Sequence, residues 1–393
     1  MASVNNMDFY QLSTILNSIV KQATGEDALT PTNESEFVSV AQTALKAGYD
    51  PVMNAITQVL SRTIFSVRPY DAKFKGIEMD SQRFGSITRK LQVVDKDWEN
   101  DVKFVLVDGQ SIDHYEINKP EVLQTNFYGA NVFEKSLTIF TEQLDNAFSS
   151  SQQFGEFLGM VMQNMLDTIE QSKENLARAT LGNFIAGKIT GDSSSVIHLL
   201  TEYNAKTGIT PALTSQTVYQ PANFKPFMQW VYSRIATLSR MMSERSLLYH
   251  INVTGKEIAR HTPESRQKVY LLAEALHEIE SSVLADTFHD SYLKRADVEG
   301  VSFWQSIQSP MSLNCTPVYL KTDGTLDSPV SPVTETDLFG VIFDEEALGY
   351  TMIKETIATT PLNAKGLYYN QYWHYTIRYF NDFTENGVVL LLD

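Results

Sequence analysis

The sequence predicts an α+β fold in which one long helix supports separate β-rich segments. From Ser149 to Lys188, apolar side chains recur close to the 3.6-residue period of a helix, and no proline interrupts them. At 1.5 Å per residue, roughly 36 helical residues would extend about 54 Å. Strand patterns fill two other regions, 66–120 and 338–393. The long helix is therefore expected to act as a strut against which the strands pack.

Sequence signals mark both ends of this helix. Ser150, with Gln153 three residues later, resembles a capping box, which satisfies the free amide groups at a helix N-terminus. Gly187 stands where a C-terminal stop is expected. These signals predict a nearly unbroken helix over 150–187, longer than about 25 residues.

Residues 1–65 contain three short amphipathic helical patterns separated by glycine and proline. The patterns cover about 8–22, 34–47 and 51–62. Short helices on such links suit an arm that docks on another surface. A helical cap on the next part of the chain explains the periodicity equally well, so both interpretations stay open.

The segment 66–120 predicts a long β-hairpin. Strand patterns at 85–94 and 102–107 flank a polar turn that carries Trp98. A two-stranded hairpin alone is marginal in water. It should therefore fold back on its own domain or be completed by a neighbouring subunit. A large aromatic side chain at the tip suggests a partner, although simple exposure competes with that interpretation.

After the long helix, the sequence predicts an α/β region followed by a return to strands. Helices are expected at about 224–244 and 264–289, with a buried strand from Leu247 to Val253 between them. Four further strands are predicted at 132–140, 338–343, 351–359 and 367–380. The run 388–392 is wholly apolar, so it must be a strand buried in a sheet.

Composition excludes several classes of protein. The formal net charge is −16, whereas a nucleic-acid binder needs a basic footprint. This charge does not exclude nucleic acid packed loosely beside the protein. The single Cys315 excludes an internal disulfide and a cysteine-rich zinc site. No apolar run reaches the roughly 18 residues of a membrane span and no signal peptide is present, which predicts a cytoplasmic site of synthesis and assembly.

One stretch resembles a phosphate-binding loop and raises the alternative of a cytosolic nucleotide-binding enzyme. Gly182 to Lys188 has the required glycine and lysine spacing, but Ile189 replaces the serine or threonine that would hold magnesium. The stretch also closes a helix, where the negative end of the dipole repels phosphate. His277-Glu278 resembles half of a zinc-protease motif without the second histidine. We therefore predict no catalytic, cofactor-binding or metal-binding residues, no cofactor and no enzyme activity.

The order of these parts resembles the major capsid protein of tailed bacteriophages, whose fold is named after phage Hong Kong 97. The closest local likeness lies in three stretches. They are Phe339 to Gly349, Asn370 to Phe383, and Asn386 to Leu390. The first is similar to the family's strand and acidic turn, and the others to its closing aromatic and apolar strands. Small capsids of short-tailed phages that infect Gram-positive bacteria are similar in style.

The resemblance implies a layout for the whole chain. Residues 1–65 would form an N-terminal arm and 66–120 an extended loop. Residues 121–190 and 350–393 would form a peripheral domain with the long helix, 150–187, as its spine. Residues 191–349 would form an axial domain.

The resemblance also implies function and partners. Many copies would assemble in the host cytoplasm into pentamers and hexamers of an icosahedral shell around double-stranded DNA, forming the virion capsid. Scaffolding and portal proteins are possible partners, the DNA would lie close without specific binding, and no membrane is involved. The candidate contacts between subunits are Phe9, Leu12, Leu16, Lys96, Asp97 and Trp98. An encapsulin-like bacterial compartment around cargo enzymes is the alternative that keeps the fold.

Overall fold

A computed structural model describes most of the chain, and every structural statement below refers to the residues it describes. These are residues 9–25, 30–60, 73–79, 87–94, 107–109, 111, 115, 117, 119–128, 130–279 and 297–393. The predicted contact residues Lys96, Asp97 and Trp98 lie outside this set.

The helices of the described residues fall into an N-terminal group, one long helix and a later group. They are α1 (Phe9–Thr24), α2 (Glu34–Lys46), α3 (Tyr49–Leu60), α4 (Thr141–Ala147), α5 (Ser151–Gly191), α6 (Leu199–Thr207), α7 (Pro221–Ser243) and α8 (Ala273–Ile279). The helix α5 contains 41 residues and lies where the sequence predicts a long one. Its first turn begins as expected, because the Ser150 side chain accepts a hydrogen bond from the Gln153 amide at 3.2 Å.

The strands of the described residues differ in length and build sheets of different sizes. They are β1 (Ile87–Val93), β2 (Val122–Tyr128), β3 (Asn131–Phe140), β4 (Val196–His198), β5 (Gln267–Leu272), β6 (Asp297–Val301), β7 (Leu313–Cys315), β8 (Tyr319–Leu320), β9 (Leu326–Asp327), β10 (Val333–Glu335), β11 (Leu338–Asp344), β12 (Leu348–Thr359), β13 (Tyr368–Asn381) and β14 (Gly387–Leu391). A five-stranded sheet has the order β4-β14-β11-β5-β6, and a three-stranded sheet has the order β12-β13-β3. Two-stranded pairs are β1-β2, β10-β7 and β8-β9.

The last predicted strand is an interior strand of the five-stranded sheet. The strand β14 pairs antiparallel with β11 on one side and parallel with β4 on the other. All five of its residues are buried. A wholly apolar run fits this position, because such a strand has no face in contact with water.

Two predictions between α5 and this strand are wrong. The region 264–289 does not form one helix, because Gln267–Leu272 is the strand β5, paired with β11 and β6. A strand buried on both faces shows a continuous apolar run, which periodicity alone does not distinguish from a buried helix. The predicted strand from Leu247 to Val253 is irregular, and Tyr249 has a positive φ of 69°. Positive φ is incompatible with an extended strand.

The strand β1 lies within the segment predicted as a hairpin, but its partner is β2. Ile87 to Val93 run antiparallel to Tyr128 to Val122. The predicted partner strand, 102–107, lies outside the described residues apart from Val107. The strand β2 ends at Tyr128, and β3, an outer strand of the three-stranded sheet, begins at Asn131.

Three apolar cores lie along the molecule, and the helix α5 takes part in two of them. Its N-terminal part packs with α1, α2 and α3, and its C-terminal part packs between the two larger sheets. The third core lies between α7 and the five-stranded sheet. The long helix thus joins the N-terminal helices to the strands, which is the role of a strut.

Candidate functional site

The loop 382–386, which connects β13 to β14, is the feature around which a buried polar site is built. Loops normally run over the surface, because their backbone groups need water. Here every residue of the loop is at most 6% exposed. Two of them, Asp382 and Glu385, are carboxylates. The loop also joins the three-stranded sheet to the five-stranded sheet, so its position affects both.

Lys188, near the end of α5, reaches this loop from inside the protein. Its side chain is 0% exposed, and its ammonium Nζ donates to the carbonyl oxygens of Tyr249 at 2.9 Å, Glu385 at 3.0 Å and Phe383 at 3.4 Å. Burial lowers the pKa of Lys188 to about 8, although Asp192 and the two loop carboxylates oppose the shift. Since Lys188 is fully buried and held by three carbonyls, the structure gives no support to the nucleotide-loop alternative.

The glycine at 187 is required for close packing and does not end the helix. The helix continues to Gly191, beyond the predicted stop. A Cβ placed on Gly187 would lie 2.4 Å from the ring of Phe383, and one placed on Gly387 would lie 2.6 Å from Phe184. Those two rings stack with centroids 5.6 Å apart. Both glycines therefore let the helix and the 382–386 loop approach within ring contact.

Gly187→Ala is expected to lower the free energy of unfolding by about 1–3 kcal/mol, the usual cost of overpacking a core. The added methyl must displace the ring of Phe383, which is fixed by stacking. Gly208→Ala changes a glycine whose Cβ would meet nothing within 4 Å. With its φ of 63°, Gly208→Ala measures backbone strain without any steric contact, about 1–2 kcal/mol. Urea unfolding measures both variants, and a Gly187→Ala midpoint equal to that of wild type would contradict the packing role of Gly187.

Lys90, in the strand β1, approaches the same loop from the hairpin side. Its ammonium Nζ donates to Asp382 Oδ2 at 2.9 Å and also to Glu385 Oε1. Arg260 Nη1 lies 3.0 Å from the same Glu385 oxygen. Burial alone would lower the pKa of Lys90, but the two carboxylates outweigh it and the pKa is raised. Burial raises the pKa of Glu385, and Lys90 and Arg260 offset this only in part.

His250 occupies a structural position beside the loop. Its ring nitrogens lie 2.9 Å from the carbonyl oxygens of Leu248 and Ile258. Burial, together with the positive charges of Lys188 and Arg260, lowers the pKa of His250. The hydrogen bonds to the Leu248 and Ile258 carbonyls oppose this shift, because both carbonyls accept from the protonated ring.

The stability of the protein should rise in alkaline solution through Lys188. Its folded pKa is about 8, below its ordinary value of 10.5, so between these values the folded chain binds fewer protons than the unfolded chain. The cost of the buried charge is complete below pH 8 and is relieved as the pH rises toward 10.5. The free energy of unfolding of wild type, minus that of Lys188→Met, should increase over this window. A constant difference would contradict the burial of a charged Lys188.

The three predicted contact residues that the structure describes lie in the N-terminal core. Leu12 and Leu16 are buried against the chain's own helices, and Phe9 packs on Phe37 with ring centroids 6.1 Å apart. These three side chains thus pack against helices of their own chain, as the helical-cap interpretation expects. Leu12 and Leu16 could contact another subunit only if α1 left this core, whereas Phe9 is only half-buried in place.

Neither a metal site nor a membrane span is found in the described parts of the chain. No group of three or more histidine, cysteine or acidic side chains there is arranged to hold a metal ion. None of the helices described above is both long and apolar enough to cross a bilayer.

Comparison with protein families decides what kind of molecule carries this site. The family model described as Phi29-like phage major capsid protein matches residues 16–391. The chain belongs to this family. It is a phage major capsid protein, and the 382–386 loop is a structural junction inside a capsid subunit.

Solved structures show a similar fold for this capsid protein. One is a chain in the capsid structure of Staphylococcus phage Andhra, and another is a chain in the structure of the head fibre and inner core protein gp22 of native bacteriophage P68. Each has a TM-score of 0.54 at 11% identity, over 84% of this chain and 87% of the other. No curated protein sequence matches the chain. The likeness to these structures concerns the fold.

Proposed function

We propose that many copies of this capsid protein assemble into pentamers and hexamers of an icosahedral shell around the double-stranded DNA of a tailed phage. The observation that carries the proposal is the family match over residues 16–391. The fold would be of the Hong Kong 97 type, with α5 as the spine, β12-β13-β3 in the peripheral domain and 191–349 as the axial domain. The strut-like α5, shared by two cores, supports this assignment.

The surface of the β1–β2 hairpin supports a role in contacts between subunits. Lys90 and Gln92 face the chain's own loop, so the alternate residues Leu91 and Val93 face away from it. Leu91 is 65% exposed and Val93 is 62% exposed, and Val93 pairs with the exposed Val122. Burial of this apolar strip against a neighbour would remove it from water and so favour assembly.

The extended-loop tip and the N-terminal helix complete the proposed contacts. Lys96, Asp97 and Trp98 would contact a neighbouring subunit beyond the end of β1, where aromatic anchors contribute most to an interface. Phe9 and the exposed Tyr10 would do so from α1. Scaffolding and portal proteins are further proposed partners, with assembly in the host cytoplasm.

Serine substitutions test the hairpin strip. Leu91→Ser with Val93→Ser should prevent or slow shell formation, measured by sedimentation velocity, while the thermal midpoint of the unassembled subunit changes little. Tyr10→Ser tests the α1 surface in the same way. Shells that form at wild-type rate and yield in both variants would contradict these contacts without affecting the family assignment.

The contents of purified particles separate the phage capsid from the encapsulin-like alternative. Particles from infected cells should contain nuclease-protected double-stranded DNA that occupies most of the interior. Particles filled with a cargo enzyme and free of DNA would favour the compartment. The family match favours DNA, because the model describes phage capsids.

A further inference from the structure

One residue, Glu385, is held from two sides by parts of the chain that are far apart in sequence. Its carboxylate accepts from Lys90 of β1, from Gln92 Nε2 at 3.3 Å and from Arg260. Its own carbonyl oxygen accepts from Lys188 of α5 at 3.0 Å. Lys90 binds the side chain of Glu385, and Lys188 binds its main-chain carbonyl. The two lysines are therefore linked through this one residue.

The surroundings leave this residue little freedom to move independently. Asp382, at the start of the same loop, also pairs with Lys90, and its other oxygen accepts from the amide and hydroxyl of Thr384 at 3.0 and 2.6 Å. At the end of the loop, the Gly387 amide donates to the carbonyl of Tyr249, which Lys188 also holds. A displacement of the loop on one side must therefore change hydrogen bonds on the other.

We propose that Glu385 is a positioning residue that couples the orientation of the β1–β2 hairpin to the C-terminal end of α5. When Lys90 holds the carboxylate, the Glu385 carbonyl lies where Lys188 can bind it. When the hairpin leaves, the buried carboxylate loses its main partner and the loop rearranges. The end of the long helix and the joint between the two larger sheets then loosen together.

This coupling is a property of a single chain, and its use in a shell rests on the proposed function. When the β1–β2 hairpin contacts a neighbouring subunit, the change in its position would alter the C-terminal end of α5 in the same chain through Glu385. Subunits with a correctly docked hairpin would then differ from free subunits in the rigidity of the strut. Both carboxylates are buried and Lys90 is half-buried, so about 0.15 M salt should weaken the coupling less than it weakens an interaction between exposed charges.

Hydrogen–deuterium exchange on the unassembled capsid protein tests the coupling. Lys90→Met should speed exchange by at least about threefold in β2 and also in residues 185–191 of α5, which lie outside the hairpin. Lys188→Met should conversely speed exchange in β1 and β2. Glu385→Gln, which keeps the shape of the side chain, should speed exchange both in β1 and β2 and in residues 185–191 of α5. The strand β5 should exchange as in wild type in the Lys90 variant.

The matched control is Lys321→Met, which removes an exposed ion pair with Asp327 at 3.2 Å and should alter neither segment. If Lys90→Met speeds exchange in the hairpin alone, or in neither segment, the coupling is overturned. Because the measurement uses free subunits, its failure leaves the capsid assignment intact. Conversely, failure to form shells would leave the coupling measurable.

Discussion

Leu390→Ala is expected to lower the free energy of unfolding by about 2–5 kcal/mol, the range measured for large-to-small changes in cores. Leu390 lies in β14, is 0% exposed and sits between β11 and β4. Strands on both sides fix its position, so the sheet cannot collapse into the cavity. This loss is a large part of the roughly 5–15 kcal/mol that stabilises a typical domain. Urea unfolding followed by circular dichroism measures it.

Leu326→Ala is the matched control for this substitution. The same atoms are removed from β9, where the side chain is 66% exposed. A surface change of this kind should stay within about 0.5 kcal/mol of wild type. If the two leucine variants unfold at the same urea concentration, β14 is not a buried interior strand of the sheet.

Lys188→Met is expected to lower the free energy of unfolding by about 1–3 kcal/mol, the cost of leaving a buried acceptor without its donor. Methionine keeps the length of the side chain but donates no hydrogen bond. The Tyr249 and Phe383 carbonyls retain bonds from the amides of Gly387 and Ile251. The Glu385 carbonyl is the acceptor most affected. Relief of the buried charge opposes the loss, which keeps the expected effect below that of Leu390→Ala.

Two further variants serve as controls for Lys188→Met. They are Lys188→Arg and Lys321→Met. Arginine keeps the charge, but its planar fork does not fit a position built for a compact ammonium, so it should not restore stability. Lys321→Met removes a lysine that is exposed and should be nearly neutral. A Lys188→Met protein as stable as wild type would contradict the role of the three carbonyl bonds.

The elements that the sequence predicts well are those with one dominant periodicity. The helix α5 has a helical stripe and a serine cap, and β13 alternates between buried and half-buried residues through most of its length. The sequence predicts helix where β5 lies, because burial on both faces removes the alternation that identifies a strand. Its partners β11 and β6 are distant in sequence, so only the folded sheet shows why it is extended.

The buried junction could not be predicted, because its members come from four separate segments. Lys90, Lys188, Arg260 and Glu385 show no common motif, and a sequence places none of them near another. One signal was available. Lys188 is a lone charge between the apolar residues Ile185 and Ile189, on the buried side of a helix. A charge in that setting needs buried partners, which is how the loop 382–386 could have been suspected.

Electron microscopy of the purified protein tests most directly whether this capsid protein builds a shell. We expect uniform closed particles, or rings of five and six subunits where assembly is incomplete. Dispersed single subunits of 44.3 kDa under all assembly conditions, including the presence of partner proteins from the same phage, would contradict it.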